Sequence, residues 1–233
     1  MTVDEGLRAV LDATVEALTP GLESLELPPS LARRHGRWRD DELVLETQVW
    51  RGEGWERVVV ARTVGPHGVV TATIIALPAD GFSHEVVGFD LIAFGGRLSL
   101  AAVDLAPLDD AHFAAHARPR LQKLHDAASR WVVERRSPAF AKDTFSPEAL
   151  IVAERNGAAG ALLDPVAEFA RSLAGFPVQR AHDASPALER KELWKRAMNQ
   201  NRKEMEALSR LFGAAWVREY VDLVLFPQRE VTT

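Results

Sequence analysis

A single carboxylate, Asp90, stands inside an apolar segment that reads Gly88-Phe89-Asp90-Leu91-Ile92-Ala93-Phe94. The pair Gly95-Gly96 follows it, and a second apolar run then leads through Leu105 to Pro107. This pattern predicts two β-strands joined by a tight turn. Burying a carboxylate among apolar side chains is costly unless the group has a partner. We therefore expect Asp90 either to pair with another polar group or to act as an acid.

A second segment with polar groups lies far along the chain. It begins with Asn201-Arg202-Lys203 and continues into an apolar, aromatic run from Leu211 to Phe226. Helical spacing predicts one helix from Pro186 to Phe212 and another from Ala214 to Phe226. The polar residues of this segment should therefore lie on helices.

The composition sets limits on the kind of protein. The chain has 233 residues, 47% hydrophobic and 26% charged, no cysteine and a net charge of −5. The missing cysteines exclude disulfides and cysteine-ligated iron–sulfur clusters, and the acidic balance argues against nucleic acid as the main partner. The sequence shows neither a run of about 18 apolar residues nor a basic-plus-apolar leader, so we expect a cytoplasmic protein without a membrane segment.

The elements that position Asp90 follow from hydrophobic periodicity and turn residues. An amphipathic helix is predicted over Val3–Leu18. Strands are predicted over 43–50, 57–64, 69–77, 86–94, 98–104 and 149–154, and further helices over 110–133 and 159–173. The turns between the first five strands are too short for crossover helices, which predicts an antiparallel meander. Helices before and after the sheet predict that both of its faces are covered, giving an α/β fold of the three-layer α/β/α sandwich type.

The Gly-x-Asp hairpin and the C-terminal block resemble segments of the ferredoxin-dependent bilin reductases. The resemblance extends from about Leu43 to Phe226. It implies a single bilin-reductase-like domain over residues 1–233, and we expect the protein to be a monomer. It also implies biliverdin or a related bilin as substrate, ferredoxin or flavodoxin as the external source of electrons, and no tightly bound cofactor or metal.

The resemblance assigns roles to particular residues. It makes Asp90 the catalytic proton donor, because the family's aspartate in this triplet contacts the bilin. It makes Ser99, Arg136 and Lys203 the ligands of the two propionates, and an arginine can hold a carboxylate through two hydrogen bonds. Asn201 corresponds to the first residue of the family's Asn-Asp pair.

Three positions depart from the family pattern. Thr73 stands 17 residues before Asp90, where family members have His or Asn, and Ala61 falls near the place of a partner glutamate. Arg202 replaces the family's C-terminal aspartate and cannot donate a proton usefully. Both Thr73 and Arg202 remain candidate substrate-binding residues. We therefore expect Asp90 to be the only strong proton donor and the 15,16 methine bridge to be the bond reduced.

Other interpretations stay open at this point. The chain could be a non-catalytic tetrapyrrole-binding protein, or it could reduce another open-chain tetrapyrrole as the red chlorophyll catabolite reductases do. His84 is expected on a solvated loop. The basic residues among 33–39 and 190–203 form either an ordinary solvated surface or a docking face for an acidic electron donor. His112 and His116 have a spacing compatible with zinc, although a surface helix is the simpler interpretation.

Overall fold

The short turns of the first half of the chain produce an antiparallel meander. The computed structural model describes residues 2–135, 139, 142, 144–155 and 157–227. The meander strands are β3 (Asp41–Gly52), β4 (Trp55–Val64), β5 (Val70–Pro78), β6 (Val86–Phe94) and β7 (Arg97–Ala106). Each of them pairs antiparallel with the next. The predicted meander is therefore confirmed.

Four further strands extend the sheet at its two sides. They are β1 (Glu23–Ser24), β2 (Arg33–Trp38), β8 (Val132–Glu134) and β9 (Leu150–Glu154). The order across the sheet is β1-β3-β4-β5-β6-β7-β9-β8, and β2 also pairs with β3. Strand β2 was not predicted, because its basic residues look like a surface cluster. The prediction of a helix to residue 133 was wrong at its end, where β8 begins.

The helices cover the sheet on both sides. They are α1 (Val3–Leu18), α2 (Pro29–Ala32), α3 (Asp110–His112), α4 (Arg118–Ala128), α5 (Ala159–Arg171), α6 (Ala184–Asn199), α7 (Arg202–Phe212) and α8 (Ala214–Tyr220). Turns of π-helix follow α3 at Phe113–Ala117 and α8 at Val221–Leu225. Short 3-10 turns lie at Pro66–Gly68 and Ser129–Trp131. Within the described residues, no helix has both the length and the apolar character needed to cross a bilayer.

The helix predicted over 186–212 is in fact two helices. The break falls at Asn201, which caps α7: its side chain accepts a hydrogen bond from the backbone N–H of Glu204. A side-chain acceptor of this kind satisfies one of the free N–H groups at a helix start. The interruption sets the direction of α7 separately from that of α6.

Alternate residues of each strand feed two different hydrophobic cores, as expected for a sheet covered on both faces. One core joins the sheet to α1, α4 and α5. The other joins it to α6, α7 and α8, and we call this side of the sheet the C-terminal face. The predicted three-layer α/β/α sandwich is thus confirmed.

Candidate active site

A row of small residues crosses the C-terminal face of the sheet and includes Asp90. Reading from β3 to β7, the residues in register are Thr47, Ala61, Thr73, Asp90 and Ala102. Strands lie about 4.8 Å apart, so the row extends over about 19 Å. Its small side chains form a flat floor with one carboxyl on it. The 17-residue spacing noted in the sequence is the register of the β5–β6 hairpin, which sets Thr73 directly opposite Asp90.

The Asp90 side chain points to the C-terminal face. Its neighbours Phe89 and Leu91 belong to the opposite core, which leaves the even-numbered residues of β6 on this side. Gly88 shows the same orientation, because a Cβ added there would lie 3.7 Å from Trp194 of α6. The Thr73 hydroxyl donates a hydrogen bond of 3.4 Å to Asp90 Oδ1. Burial raises the pKa of Asp90 to about 6, against the smaller lowering effect of the Thr73 hydroxyl.

A second acid, Glu204, reaches this face from the first turn of α7. Asn201 Nδ2 donates a hydrogen bond of 2.6 Å to Glu204 Oε2, which fixes the carboxyl at the helix start. Burial and then the nearby charge of Asp90 raise the pKa of Glu204 to about 8. Glu204 is thus a second acid beside the predicted donor Asp90. The spacing Asn-x-x-Glu is a helix-start signature that could have drawn attention to Glu204.

The single tyrosine of the chain, Tyr220, completes this group. Its hydroxyl shares a hydrogen bond of 2.9 Å with Thr47, the β3 member of the row. Burial raises the pKa of Tyr220, and the charge of Glu204 raises it further. Glu204 thus acts electrostatically on Asp90 of the sheet and on Tyr220 of α8.

One more buried acid, Asp104, lies on the same face. It pairs in register with Gly88, two residues along β6 from Asp90. Both of its oxygens accept hydrogen bonds from Ser146, one from the backbone N–H and one from the hydroxyl. Burial raises the pKa of Asp104 to about 6. Because its oxygens are occupied, Asp104 serves to hold the Ser146 segment against the sheet.

The residues assigned to the propionates are placed differently from one another. Ser99 sits at a β-bulge in β7, and its hydroxyl donates a hydrogen bond of 2.9 Å to the carbonyl of Ile92. Lys203 and Arg202 are exposed in the first turn of α7. Arg136 lies outside the described residues. To donate a hydrogen bond to a propionate, the Ser99 hydroxyl would have to give up its hydrogen bond to the Ile92 carbonyl.

The histidines singled out in the sequence lie away from this site. His84 is fully buried against Trp55 and Phe82, which corrects the expected solvated loop. Burial, followed by the charge of His112, lowers the pKa of His84 to about 4. The four residue steps from Val86 to Asp90 alone extend about 13 Å along β6, so His84 cannot replace the histidine missing at position 73.

His112 is also buried rather than on a surface helix face. Its Nδ1 lies 2.9 Å and 3.0 Å from the two carboxylate oxygens of Glu85, and both side chains are fully enclosed. Burial raises the pKa of Glu85. Among the described residues there is no group of three or more His, Cys, Asp or Glu side chains placed to hold a metal ion.

Two lysines of the basic C-terminal cluster turn out to be internal. Lys191 donates hydrogen bonds to Glu56, Asp80 and the carbonyl of Pro78, and it is 2% exposed. Lys195, equally buried, donates to Glu192 and to the carbonyl of Pro227. These lysines fasten α6 to its surroundings and cannot form part of a docking face.

A groove of about 500 Å³ lies between α1, α4 and α5, on the other side of the sheet. Its lining includes Trp131, Glu168 and Arg171 but none of the residues described above. Three acids with raised pKa values, Asp90, Asp104 and Glu204, belong instead to the C-terminal side of the sheet, and such groups mark candidate functional sites. We therefore place the candidate active site there.

Comparison with known proteins shows which family the chain belongs to. The family model described as ferredoxin-dependent bilin reductase matches residues 11–227. A phycocyanobilin:ferredoxin oxidoreductase from Prochlorococcus marinus is 26% identical over 91% of this chain and 87% of its own length. A 15,16-dihydrobiliverdin:ferredoxin oxidoreductase from a Synechococcus strain is 32% identical, over 44% of this chain and 42% of its own length.

A solved structure shares the fold. It is that of tomato phytochromobilin synthase in complex with biliverdin, which matches with a TM-score of 0.73 over 96% of this chain and 82% of the other, at 14% identity. The family model spans nearly the whole sheet and the three helices that cover Asp90. On this evidence the chain belongs to the ferredoxin-dependent bilin reductases, a family of bilin oxidoreductases.

Proposed function

We propose that this protein reduces biliverdin or a related linear tetrapyrrole, with electrons from ferredoxin or flavodoxin, in proton-coupled single-electron steps. The observation that carries the proposal is the half-buried acid Asp90 on a floor of small residues beneath α6, α7 and α8. A flat substrate with several rings fits such a floor. Adding an electron to a tetrapyrrole makes its nitrogens and oxygens more basic, so a nearby acid can complete each step.

We propose the 15,16 methine bridge as the bond that is reduced. Thr73 has no acidic proton near neutral pH, and Arg202 is permanently charged and exposed. The positions that other members of the family use for further protonation therefore carry no acid here. Overall, the bilin takes up two electrons and two protons, and the double bond of the bridge becomes a single bond with one hydrogen added to each carbon.

The test is an anaerobic assay with biliverdin, reduced ferredoxin and the purified protein, followed by absorbance and chromatography. Reduction at a methine bridge divides the conjugated system, so the long-wavelength band should disappear. Reduction of a vinyl group leaves all bridges conjugated and would shift the band far less. Binding of biliverdin without any turnover would favour the alternative, a tetrapyrrole-binding protein that has lost catalysis.

The propionate ligands remain part of the proposal. We expect Arg136→Ala to raise the dissociation constant for biliverdin about tenfold or more, because a carboxylate loses a charged partner. Exposed Arg135→Ala is the matched control, since it removes the same group from the neighbouring position. An unchanged dissociation constant in Arg136→Ala would remove this residue from the site. Ser99→Ala and Lys203→Ala test the other two ligands in the same titration.

The proposal extends to the state of the protein. It is a cytoplasmic monomer with one domain that carries no tightly bound cofactor and draws its electrons from a separate donor. Gel filtration of the purified protein, together with activity after exhaustive dialysis, tests these points.

A further inference from the structure

A carboxylate from another strand fixes the start of β7, beside the turn that joins it to β6. Glu154, the last residue of β9, accepts a hydrogen bond of 2.8 Å at Oε2 from the backbone N–H of Leu98. Its Oε1 accepts one of 3.0 Å from Arg97 Nε. The side chain of Glu154 is 2% exposed and that of Arg97 is 64% exposed. Both oxygens of a buried carboxylate are therefore committed to one short segment of β7.

The register of β7 and β9 explains why this carboxylate reaches Leu98. The backbone pairing of the two strands stops at Ala101 and Val152. Two residues further along each strand, Ser99 falls opposite Glu154. The Glu154 side chain thus takes the place of the next backbone acceptor and satisfies the N–H of Leu98, as a buried backbone donor requires.

Ser99 is the extra residue of a β-bulge that lies at this point of β7. Leu98 and Leu100 pair with successive residues of β6, so Ser99 stands between two paired neighbours. A bulge bends its strand and can re-aim a side chain. Because Glu154 holds Leu98, the strand is anchored on the turn side of the bulge. The Ser99 hydroxyl is then in place to reach the carbonyl of Ile92 at 2.9 Å.

We propose that Glu154 is a positioning residue for Ser99: its carboxylate fixes the bulge of β7 and so sets the direction from which the Ser99 hydroxyl meets a propionate of the bilin. This inference rests on the proposed function for its ligand. Along β9, Glu154 alternates with Leu150 and Val152, which belong to the core opposite the C-terminal face. It therefore acts on the ligand through β7 and not by contact.

The first experiment needs no ligand. Glu154→Ala should speed the hydrogen exchange of the Leu98 amide by about tenfold or more, because the amide loses its acceptor. Glu154→Gln keeps an acceptor oxygen and should retain most of the protection. Glu148→Ala is the matched control, since it removes another partly buried carboxylate bound to an arginine, Arg118 of α4, and should leave Leu98 unchanged. Exchange of Leu98 at the wild-type rate in Glu154→Ala would overturn the proposal.

The second experiment compares the binding of biliverdin with that of its dimethyl ester, in which neither propionate carries a charge. Ser99→Ala should raise the dissociation constant for biliverdin about tenfold, and Glu154→Ala about threefold or more, with smaller effects on the ester. Glu154→Gln should restore the wild-type preference. If Glu154→Ala does not fold, Glu154→Asp, which is one methylene shorter, should show the same selective loss. Equal losses for the two compounds, or no loss in Ser99→Ala, would overturn the proposal.

A double variant separates positioning from an independent effect of Glu154. If Glu154 acts through Ser99, the variant with both Ser99→Ala and Glu154→Ala should bind biliverdin like Ser99→Ala alone, because the two substitutions remove one interaction. Losses that multiply would show that Glu154 acts by another route. If the wild type binds neither compound, the proposed function fails, whereas the exchange of Leu98 still decides whether Glu154 fixes the bulge.

Discussion

At the scale of single residues, Asp90→Asn separates binding from proton transfer. The amide keeps the shape of the side chain and can still hydrogen-bond, but it has no acidic proton. We expect normal biliverdin binding and normal uptake of the first electron, followed by a bilin radical that persists in the electron paramagnetic resonance spectrum. Asp40→Asn, in an exposed turn, should behave like the wild type. Wild-type turnover in Asp90→Asn would mean that protons reach the bilin without this residue.

The same substitution has an effect on stability that depends on pH. The pKa of Asp90 is raised by folding from 3.8 to about 6, so the folded state favours the protonated acid. Its contribution is fully present below about pH 4 and is lost as the pH rises through 6. We therefore expect Asp90→Asn to stabilise the protein at pH 8, by up to about 3 kcal/mol, and to lose this advantage toward pH 4. Urea unfolding at both pH values measures the difference; equal effects at both would contradict the raised pKa.

At the scale of elements, the start of α7 determines where Glu204 lies. Asn201→Ala removes both the helix cap and the hydrogen bond to the Glu204 carboxyl. We expect a loss of about 1 kcal/mol in stability, as for other caps, and a further rise in the pKa of Glu204, because the Asn201 hydrogen bond lowers it. Infrared titration and thermal unfolding check the two effects.

The control for this prediction is another helix cap. Asp183 caps the start of α6 by accepting a hydrogen bond from Ser185 N. Asp183→Ala should lower stability by a similar amount and leave the titration of Glu204 unchanged. If both variants shift that titration equally, the effect comes from general loosening of the helices and not from Asn201.

The sequence alone predicted the elements whose residues make local contacts. Alternation and turn residues define the meander, and the hairpin register then follows from counting, which is why Thr73 falls opposite Asp90. Pairings between distant segments gave no such local signal. Lys191 bonds to β4 and to the loop after β5, and Glu204 lies in the first turn of α7. Both placements depend on how α6 and α7 pack. They are contacts of the tertiary structure, visible only once the helices are in place.

At the scale of the whole molecule, docking of the electron donor must overcome an unfavourable net charge. The chain carries −5, and a donor such as ferredoxin is acidic. Exposed cations near the start of α7, chiefly Arg196, Arg202 and Lys203, can attract such a partner locally. With the donor limiting, we expect turnover to fall as salt rises, because the field is screened beyond about 8 Å at physiological ionic strength.

Charge reversal tests which face is involved. Arg196→Glu should lower the rate severalfold at low salt and weaken its dependence on salt. Arg8→Glu, exposed on α1 across the sheet, makes the same change of charge on the opposite layer and should have little effect. Equal losses in the two variants would indicate that only the net charge matters.

Tyr220 is the only tyrosine in the chain, and its hydroxyl bonds to Thr47 while its ring stacks on Trp216 at 4.7 Å. Labelling tyrosine with a stable isotope therefore introduces one magnetic resonance probe into the entire molecule, without any mutation. That probe stands between the sheet and α8, within the electrostatic reach of Glu204. A single resonance thus reports, in solution and without a bound bilin, each change of charge on the Glu204 carboxyl.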